Sequence, residues 1–414
     1  MKKLIIRKSS LATILLLLLV FNRLYEDLSP YFSYVDEGLA AIGIICCVLS
    51  SIGKNRTWSW TGKTVTLMAG FLLWGSLCTV LSDIHAPVTS VILDAFAFAK
   101  FVNLLVLGMY LSEYRFSREA MWRTIAWITR LFVLIAFIFC VANLLVNINM
   151  YTDIRYGIRA FRFIYPRVGG LYTGCSLFLA IQTIDIYYYR NSIIKRFFLL
   201  ITILVMISTL RSRAFAYAAI YMIGYYIFLS HKQYRFKLWH LLVLALFAFV
   251  VGYSSLRFYL IDNEAQSRAV LLRYGFKTAR DYFPLGSGYA TYGTFQALNA
   301  RSPLHSMYGF SGYYGLGRIN TSYLMDNYWP AIMGETGFVG AAIMLAIIIM
   351  MTQMIVYSFA NERILLFALI FLWTTVCINS VATASFITSG AAMLILGLCI
   401  GHKALYTKDY PEGQ

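Results

Sequence analysis

The chain has 414 residues, 60% hydrophobic and 13% charged, with 35 Lys and Arg against 18 Asp and Glu, and a mean hydropathy of +0.69. Soluble domains average about 45–50% apolar and about 25% charged residues, so this composition excludes an ordinary cytosolic protein, a disordered chain and a secreted disulfide scaffold. What is left is a polytopic membrane protein, in which the position of each charge matters more than the sum.

The chain opens with a basic stretch, Met1 to Ser10, and an apolar run, Leu11 to Phe21. That pairing is the pattern of a signal peptide. However, Asn22-Arg23-Leu24-Tyr25-Glu26 offers no small-x-small cleavage site, so the run reads as a retained first span. Further apolar stretches follow at 38–53, 64–82, 88–111, 125–148, 168–188, 196–210, 214–230, 239–254, 328–357, 363–380 and 383–400. A span needs about 20 mostly apolar residues, and the count comes to about twelve. The expected fold class is an all-α polytopic membrane protein, with about twelve transmembrane helices and one long external loop containing an amphipathic helix. Helices one to nine occupy 1–254, the long extracytoplasmic loop 255–327, helices ten to twelve 328–400, and a cytoplasmic tail 401–414. Cysteines at 46, 47, 78, 140, 175, 377 and 399 sit in apolar stretches without a CxxC pair and read as packing residues.

Short-loop cations set the orientation. With the N-terminus cytoplasmic, alternate loops carry Lys54/Arg56/Lys63, Arg115/Arg118/Arg123, Arg190/Lys195/Arg196 and Lys232/Arg235/Lys237, and both termini fall on the cytoplasmic side. The opposite side begins with the acidic Glu26/Asp27/Asp36/Glu37, and every cation on it except Lys277 is arginine. Arg155, Arg159, Arg162 and Arg167 share one loop, and Arg211 and Arg213 a tight turn. Arg257, Arg268, Arg273, Arg280, Arg301 and Arg318 lie on the long segment. The planar fork of Arg binds phosphate or carboxylate through two bonds and keeps its proton. An arginine-selective outer surface therefore points to an anionic, phosphorylated ligand. Snorkelling to lipid headgroups is the competing explanation for any single arginine.

Asp94 and Lys100 lie inside the fourth span, where a charge is costly and marks either function or a buried pair. Six residues is about 240° of helix rotation, so the two need partners on neighbouring elements, and structural ion pairs are the simpler expectation. Asp185 and Arg130 fall near cytoplasmic ends, within reach of water. Glu335, about two turns into the tenth span, is placed just below the outer surface, where a carboxylate could face a cavity.

In the long segment, Gln266 to Asp281 reads as an amphipathic helix with Ser267 as its N-cap. Arg273, Lys277 and Arg280 form one basic stripe, and Val270, Leu271 and Tyr274 the apolar side. A helix lying on anionic lipid has the same pattern. Pro284, Gly286 and Gly288 punctuate a turn, and the GxG lacks the strand and third glycine of a nucleotide fingerprint. Tyr289, Tyr292, Phe295, Tyr308, Phe310, Tyr313, Tyr314 and Tyr323 crowd the segment. Their rings suit the C–H faces of sugars and equally an interfacial aromatic belt. His305 is the segment's one histidine. Asp326 closes the segment as either a general base, an acceptor for a sugar hydroxyl, or a solvated cap of the next helix.

At these residues the chain resembles the O-antigen polymerase and O-antigen ligase superfamily, which includes the Wzy-type capsular and exopolysaccharide polymerases. Arg167-Val-Gly-Gly-Leu-Tyr172 is similar to that family's Arg-x-x-Gly-aromatic motif at the start of a span, and Thr209-Leu-Arg-Ser-Arg-Ala214 to its Thr-x-Ser-Arg turn. Ser267-Arg268, Phe283-Pro-Leu-Gly-Ser-Gly288, Asp326-Asn-Tyr-Trp-Pro330 and Gly334-Glu-Thr-Gly-Phe-Val-Gly340 resemble its long loop and closing span. The likeness covers about the second half of the chain. Ligases of the superfamily carry a His-Asn or His-Ser motif where this chain has Asp326-Asn327, a departure that weakens the ligase reading.

The resemblance implies an enzyme of the bacterial cytoplasmic (inner) membrane that polymerises glycan repeat units carried on undecaprenyl diphosphate. The donor's reducing-end sugar passes to an acceptor hydroxyl, with no metal, nucleotide or other cofactor. Membrane lipid surrounds it, a flippase and a chain-length regulator are partners left open, and nucleic acid is not a partner. The physical reading agrees: preorganised arginines stabilise the charge on a departing diphosphate, and the external segments carry no DxD or metal-ligand spacing. Arg167, Arg213 and Arg268 are the first choices for diphosphate binding, then Arg211, Arg273 and Arg280. Asp326 is the first choice for catalysis, then Glu335 and His305. Tyr289, Tyr292 and Tyr323 are candidates for glycan contact. The alternatives are a ligase differing in acceptor, a lipid-linked oligosaccharide transporter, and a glycosyltransferase using monosaccharide phosphopolyprenols with acids in its first external loop. A transporter usually shows two related halves and midplane sites on broken helices, and the sequence has no internal repeat.

Overall fold

A computed structural model of the chain describes residues 8–25, 29–52, 60–113, 118–188, 192–230, 257 and 266–409. The predicted ninth span, 239–254, and the first residues of the long loop lie outside them, as do Glu26, Asp27, Lys54, Arg56, Arg115, Arg190, Lys232, Arg235 and Lys237. The remaining apolar stretches fall on helices. These are α1 (Lys8–Val20), α2 (Val35–Ile52), α3 (Trp60–Leu81), α4 (Val88–Glu113), α5 (Arg118–Val146), α6 (Val168–Tyr188), α7 (Ile193–Ile207) and α8 (Ser212–Ser230). Later in the chain come α9 (Ser267–Asp281), α10 (Tyr328–Ser358), α11 (Arg363–Ser380) and α12 (Gly390–Asp409). Among the described residues, six helices are long and apolar enough to cross a membrane: α2 to α5, α10 and α11. The protein is a predominantly helical membrane protein.

Small residues fix how closely the helices approach. α12 packs along α4 where a Cβ on Gly108 would sit 2.9 Å from the Gly397 Cα, and Gly401 lies against Met109. Close backbone approach through Gly-x-x-x-Gly is how helices pack in lipid, where burial alone gives little drive. The expected last span, 383–400, is interrupted: a turn at Ser385–Thr388 precedes α12. The loop after α5 holds an antiparallel hairpin, β1 (Tyr151–Arg155) and β2 (Ile158–Phe161), which hydropathy does not register. Tyr156 and Gly157 turn it with positive φ at both positions, the geometry of a tight two-residue hairpin turn.

The intramembrane charges find partners on other elements, as their spacing requires. Lys100 pairs with Asp36 at 2.6 Å at the start of α2. Asp185 is held by Arg130 and, at 2.8 Å, by Lys195; at 1% exposure it is sealed from water, contrary to its expected access.

Residues 266–327 form a cap with its own core. α9 lays Val270 and Leu271 against Tyr292, Leu304, Tyr308 and Phe310, and Tyr274 stacks on Tyr308 with ring centres 4.3 Å apart. Gly275 lets α9 press on Pro330 of α10. The N-cap of α9 is Gln266 rather than Ser267. Ser267 is the first helical residue, and its hydroxyl donates to the Tyr314 carbonyl instead of capping.

α10 is broken at Gly337, whose φ of 67° and ψ of −172° interrupt the helical ladder. In lipid each freed carbonyl needs a donor. Ser287 N–H donates to Gly334 O and Gly288 N–H to Glu335 O, both at 2.9 Å. Trp74 Nε1 donates to Thr336 O at 2.9 Å. The Pro284-Leu-Gly-Ser-Gly288 loop is thus plugged into the break.

Candidate functional site

The plug continues into an acidic clamp. Ala290 N–H donates to Asp94 Oδ2 at 2.8 Å. Glu335 Oε1 accepts from Thr291 N–H and Tyr292 N–H at 3.1 Å each and from the Thr294 hydroxyl at 3.2 Å. Glu335 is fully buried, so the expectation that it faces a cavity is corrected: Oε1 is spent on the loop backbone and the Thr294 hydroxyl, and Oε2 is enclosed with no hydrogen-bond partner among the described residues. Tyr289 and Tyr292 are fully buried as well. Tyr289 fills the space over Gly75, and Tyr292 lies over Gly334 with its hydroxyl donating to Leu271 O at 2.6 Å. That places both rings in packing rather than on a surface a glycan reaches.

Above the plug, at the junction of cap and α10, charged residues converge. Arg268 comes from the first turn of α9 and Asp326 from the last residues of the cap. The Arg268 Nε donates to Asp326 Oδ2 at 2.7 Å, and its Nη2 reaches the same oxygen. The positive fields of Arg213 and Arg167 also reach Asp326. Arg213 stands in the first turn of α8 and Arg167 just before α6, each near enough for its charge to act on Asp326. Burial pushes the Asp326 carboxyl above the usual carboxylate range, and Arg268, then Arg213 and Arg167, oppose that shift.

Arg213 is aimed by its surroundings. Nη1 donates to Asn379 Oδ1 at 3.1 Å, and the guanidinium lies 5.8 Å from the centre of the Tyr172 ring. Beside Asn379 at the end of α11, Ser380 accepts from Trp329 Nε1 at 3.1 Å. On the other flank, Tyr314 and Tyr323 form an exposed aromatic pair with ring centres 5.9 Å apart. Both are tied to the charged cluster through the backbone. Tyr314 O accepts from Ser267, next to Arg268, and Tyr323 O accepts from Asp326 N–H at 3.0 Å. The arrangement offers guanidinium groups to a multiply charged anion, a carboxylate to a proton, and aromatic faces to a sugar.

The other sequence candidates lie apart from this cluster. Arg211 is paired with Asp153 of the hairpin at 3.1 Å, and Arg155 holds the same carboxylate at 2.8 Å. Arg273 and Arg280 lie on the outer face of α9, Arg273 over the Tyr274 ring and Arg280 beside Asp281. His305 is buried in the cap against Phe310, its ring held neutral by burial and by Arg318, which push its pKa down to about 4. Asn379 and Ser380 were not singled out by the sequence, and Tyr172, Trp329 and Tyr314 were named there only within motifs or the aromatic run. The polar pair Asn379-Ser380 inside an otherwise apolar span was the available signal. No family model matches the chain, and no curated protein matches it.

Proposed function

We propose that the protein is a glycan polymerase that joins repeat units carried on undecaprenyl diphosphate at the outer face of the bacterial cytoplasmic membrane. In this reading about twelve helices span the membrane, both termini are cytoplasmic, and the long loop of residues 255–327 is extracytoplasmic. The observation that carries it is Asp326 held by Arg268 within the positive fields of Arg213 and Arg167. A lone structural ion pair needs one cation, whereas a diphosphate leaving group gathers several negative charges and rewards several guanidiniums in the transition state.

The step balances without further reagents. The acceptor hydroxyl oxygen bonds to the donor's anomeric carbon as the bond from that carbon to the diphosphate oxygen breaks. The diphosphate leaves with the electron pair against Arg167, Arg213 and Arg268, and the hydroxyl proton passes to Asp326. Binding of the diphosphate to Arg268 competes with Asp326 for that guanidinium and frees the carboxylate to act. A carboxyl raised by burial is the stronger base for this transfer. Tyr314 and Tyr323 supply the stacking surface beside it.

The test is deletion of the gene followed by size profiling of lipid-linked and surface glycan. Single repeat units that persist without a ladder support polymerisation. An intact lipid-linked polymer that no longer reaches its final acceptor would mean a ligase. Single units trapped on the cytoplasmic side would mean a transporter, and either result overturns the proposal.

A further inference from the structure

α9 turns away from the bundle a face that the charged cluster does not use. At about 100° per residue, Phe276, Arg280, Arg273 and Lys277 share one arc of the helix, opposite the buried Leu271, Gly275 and Thr278. All four are exposed, with Phe276 at 49%. Phe283, just beyond the helix end, is 68% exposed. Phe276 meets Phe338 of α10 with ring centres 6.1 Å apart, and Phe338 is 37% exposed on a helix apolar enough to cross a membrane. The outer face of α9 is therefore continuous with the apolar flank of a span, and it adds cations where that flank reaches the cap. Apolar rings with Lys and Arg on one helical face match a boundary between acyl chains and negative headgroups.

The geometry points to this face as a docking surface for anionic phospholipid headgroups, with Phe276 and Phe283 in the acyl region and Arg273, Lys277 and Arg280 on the phosphates. Charge complementarity selects this occupant. Among the described residues of α9, the face carries Arg273, Lys277, which lies 5.6 Å over the Tyr308 ring, and Arg280, with Asp281 at its edge 3.4 Å from Arg280. The inference stands whether or not the protein polymerises glycan, because it uses none of the residues at Asp326.

The full-length Phe276→Trp protein in bilayers of phosphatidylglycerol and phosphatidylcholine tests it, with the wild-type fluorescence subtracted as background. Bromine is placed on the acyl chains of one lipid at a time. Brominated phosphatidylglycerol among plain phosphatidylcholine is expected to quench the introduced indole about two-fold more than the reverse mixture at equal bromine content. Adding Arg273→Gln, Lys277→Gln and Arg280→Gln is expected to make the two mixtures equal while quenching persists. Equal quenching with the cations intact would overturn headgroup selection, and absence of quenching by either lipid would remove the face from the membrane. Phe283→Trp, outside the helix, repeats the reading should position 276 disturb the contact with Phe338.

Discussion

Asp326 is held between opposing influences: burial that disfavours its charge and three arginines that favour it. As the proton acceptor it must be ionised, so polymer formation is expected to rise with pH through a carboxylate range shifted upward. Arg268→Gln removes the largest opposing charge and is expected to move that limb to still higher pH in the residual activity. Asp326→Asn is expected to lower turnover about 100-fold or more and to abolish the limb, read as polymer length per hour in reconstituted membranes. Arg213→Lys keeps a charge but loses the fork that reaches Asn379, and a loss of about 10-fold is expected at equal protein level. The arginines of the cluster drew attention in the sequence because the expected topology puts them where cations should be depleted. The burial of Tyr289, Tyr292 and Glu335 was not legible. Glycan-facing and core tyrosines have the same composition, and only the fold shows that Gly75 and Gly334 leave room for the two rings.

At the scale of elements, the break in α10 and the plug that fills it behave as one unit. Gly337 has positive φ, and a Cβ there would come 2.7 Å from the Leu285 carbonyl carbon. Gly337→Ala is therefore expected to destabilise the junction by about 1–3 kcal/mol from backbone strain alone, measured as a loss of thermal stability in detergent. Glu335→Gln keeps an acceptor for Thr291, Tyr292 and Thr294 and is expected to be mild. Glu335→Ala strands buried N–H groups at about 1–3 kcal/mol each and is expected to release the plug, seen as cleavage of the 283–294 loop by added protease. Glycine and proline marked this loop as a turn in the sequence. Its insertion into a helix could not be read there, because the fold alone brings it to Gly334 and Glu335 of α10 and to Cys78 and Thr79 of α3, the latter more than 200 residues away.

Across the whole molecule, charge is divided between pairing inside the bundle and display on the cap. The hydropathy pattern located the helices because each is apolar on nearly every side. The hairpin escaped it because a short amphipathic ribbon with one face on the bundle has too few residues for a period to register. His305 links the cap to the acidity of its surroundings. Its folded pKa of about 4 lies below the ordinary 6.5, so its contribution to stability is full above about 6.5 and is lost as pH falls toward 4. The loss amounts to about 3 kcal/mol across that window. Amides of 297–316 are expected to lose exchange protection on acidification, and His305→Phe is expected to flatten the response.

The discontinuity at Gly337 also separates two mechanical duties within one helix. Below it, the rest of α10 packs on the bundle through the buried Met344, Ile347, Met351 and Met354, and Thr352 accepts from Trp373 Nε1 of α11 at 2.7 Å. Above it, residues 328–336 are fastened to α3 and α4 through the plug. The charged cluster thus rests on a half-helix held from two sides, and its activity is expected to vary little across membranes of different acyl length.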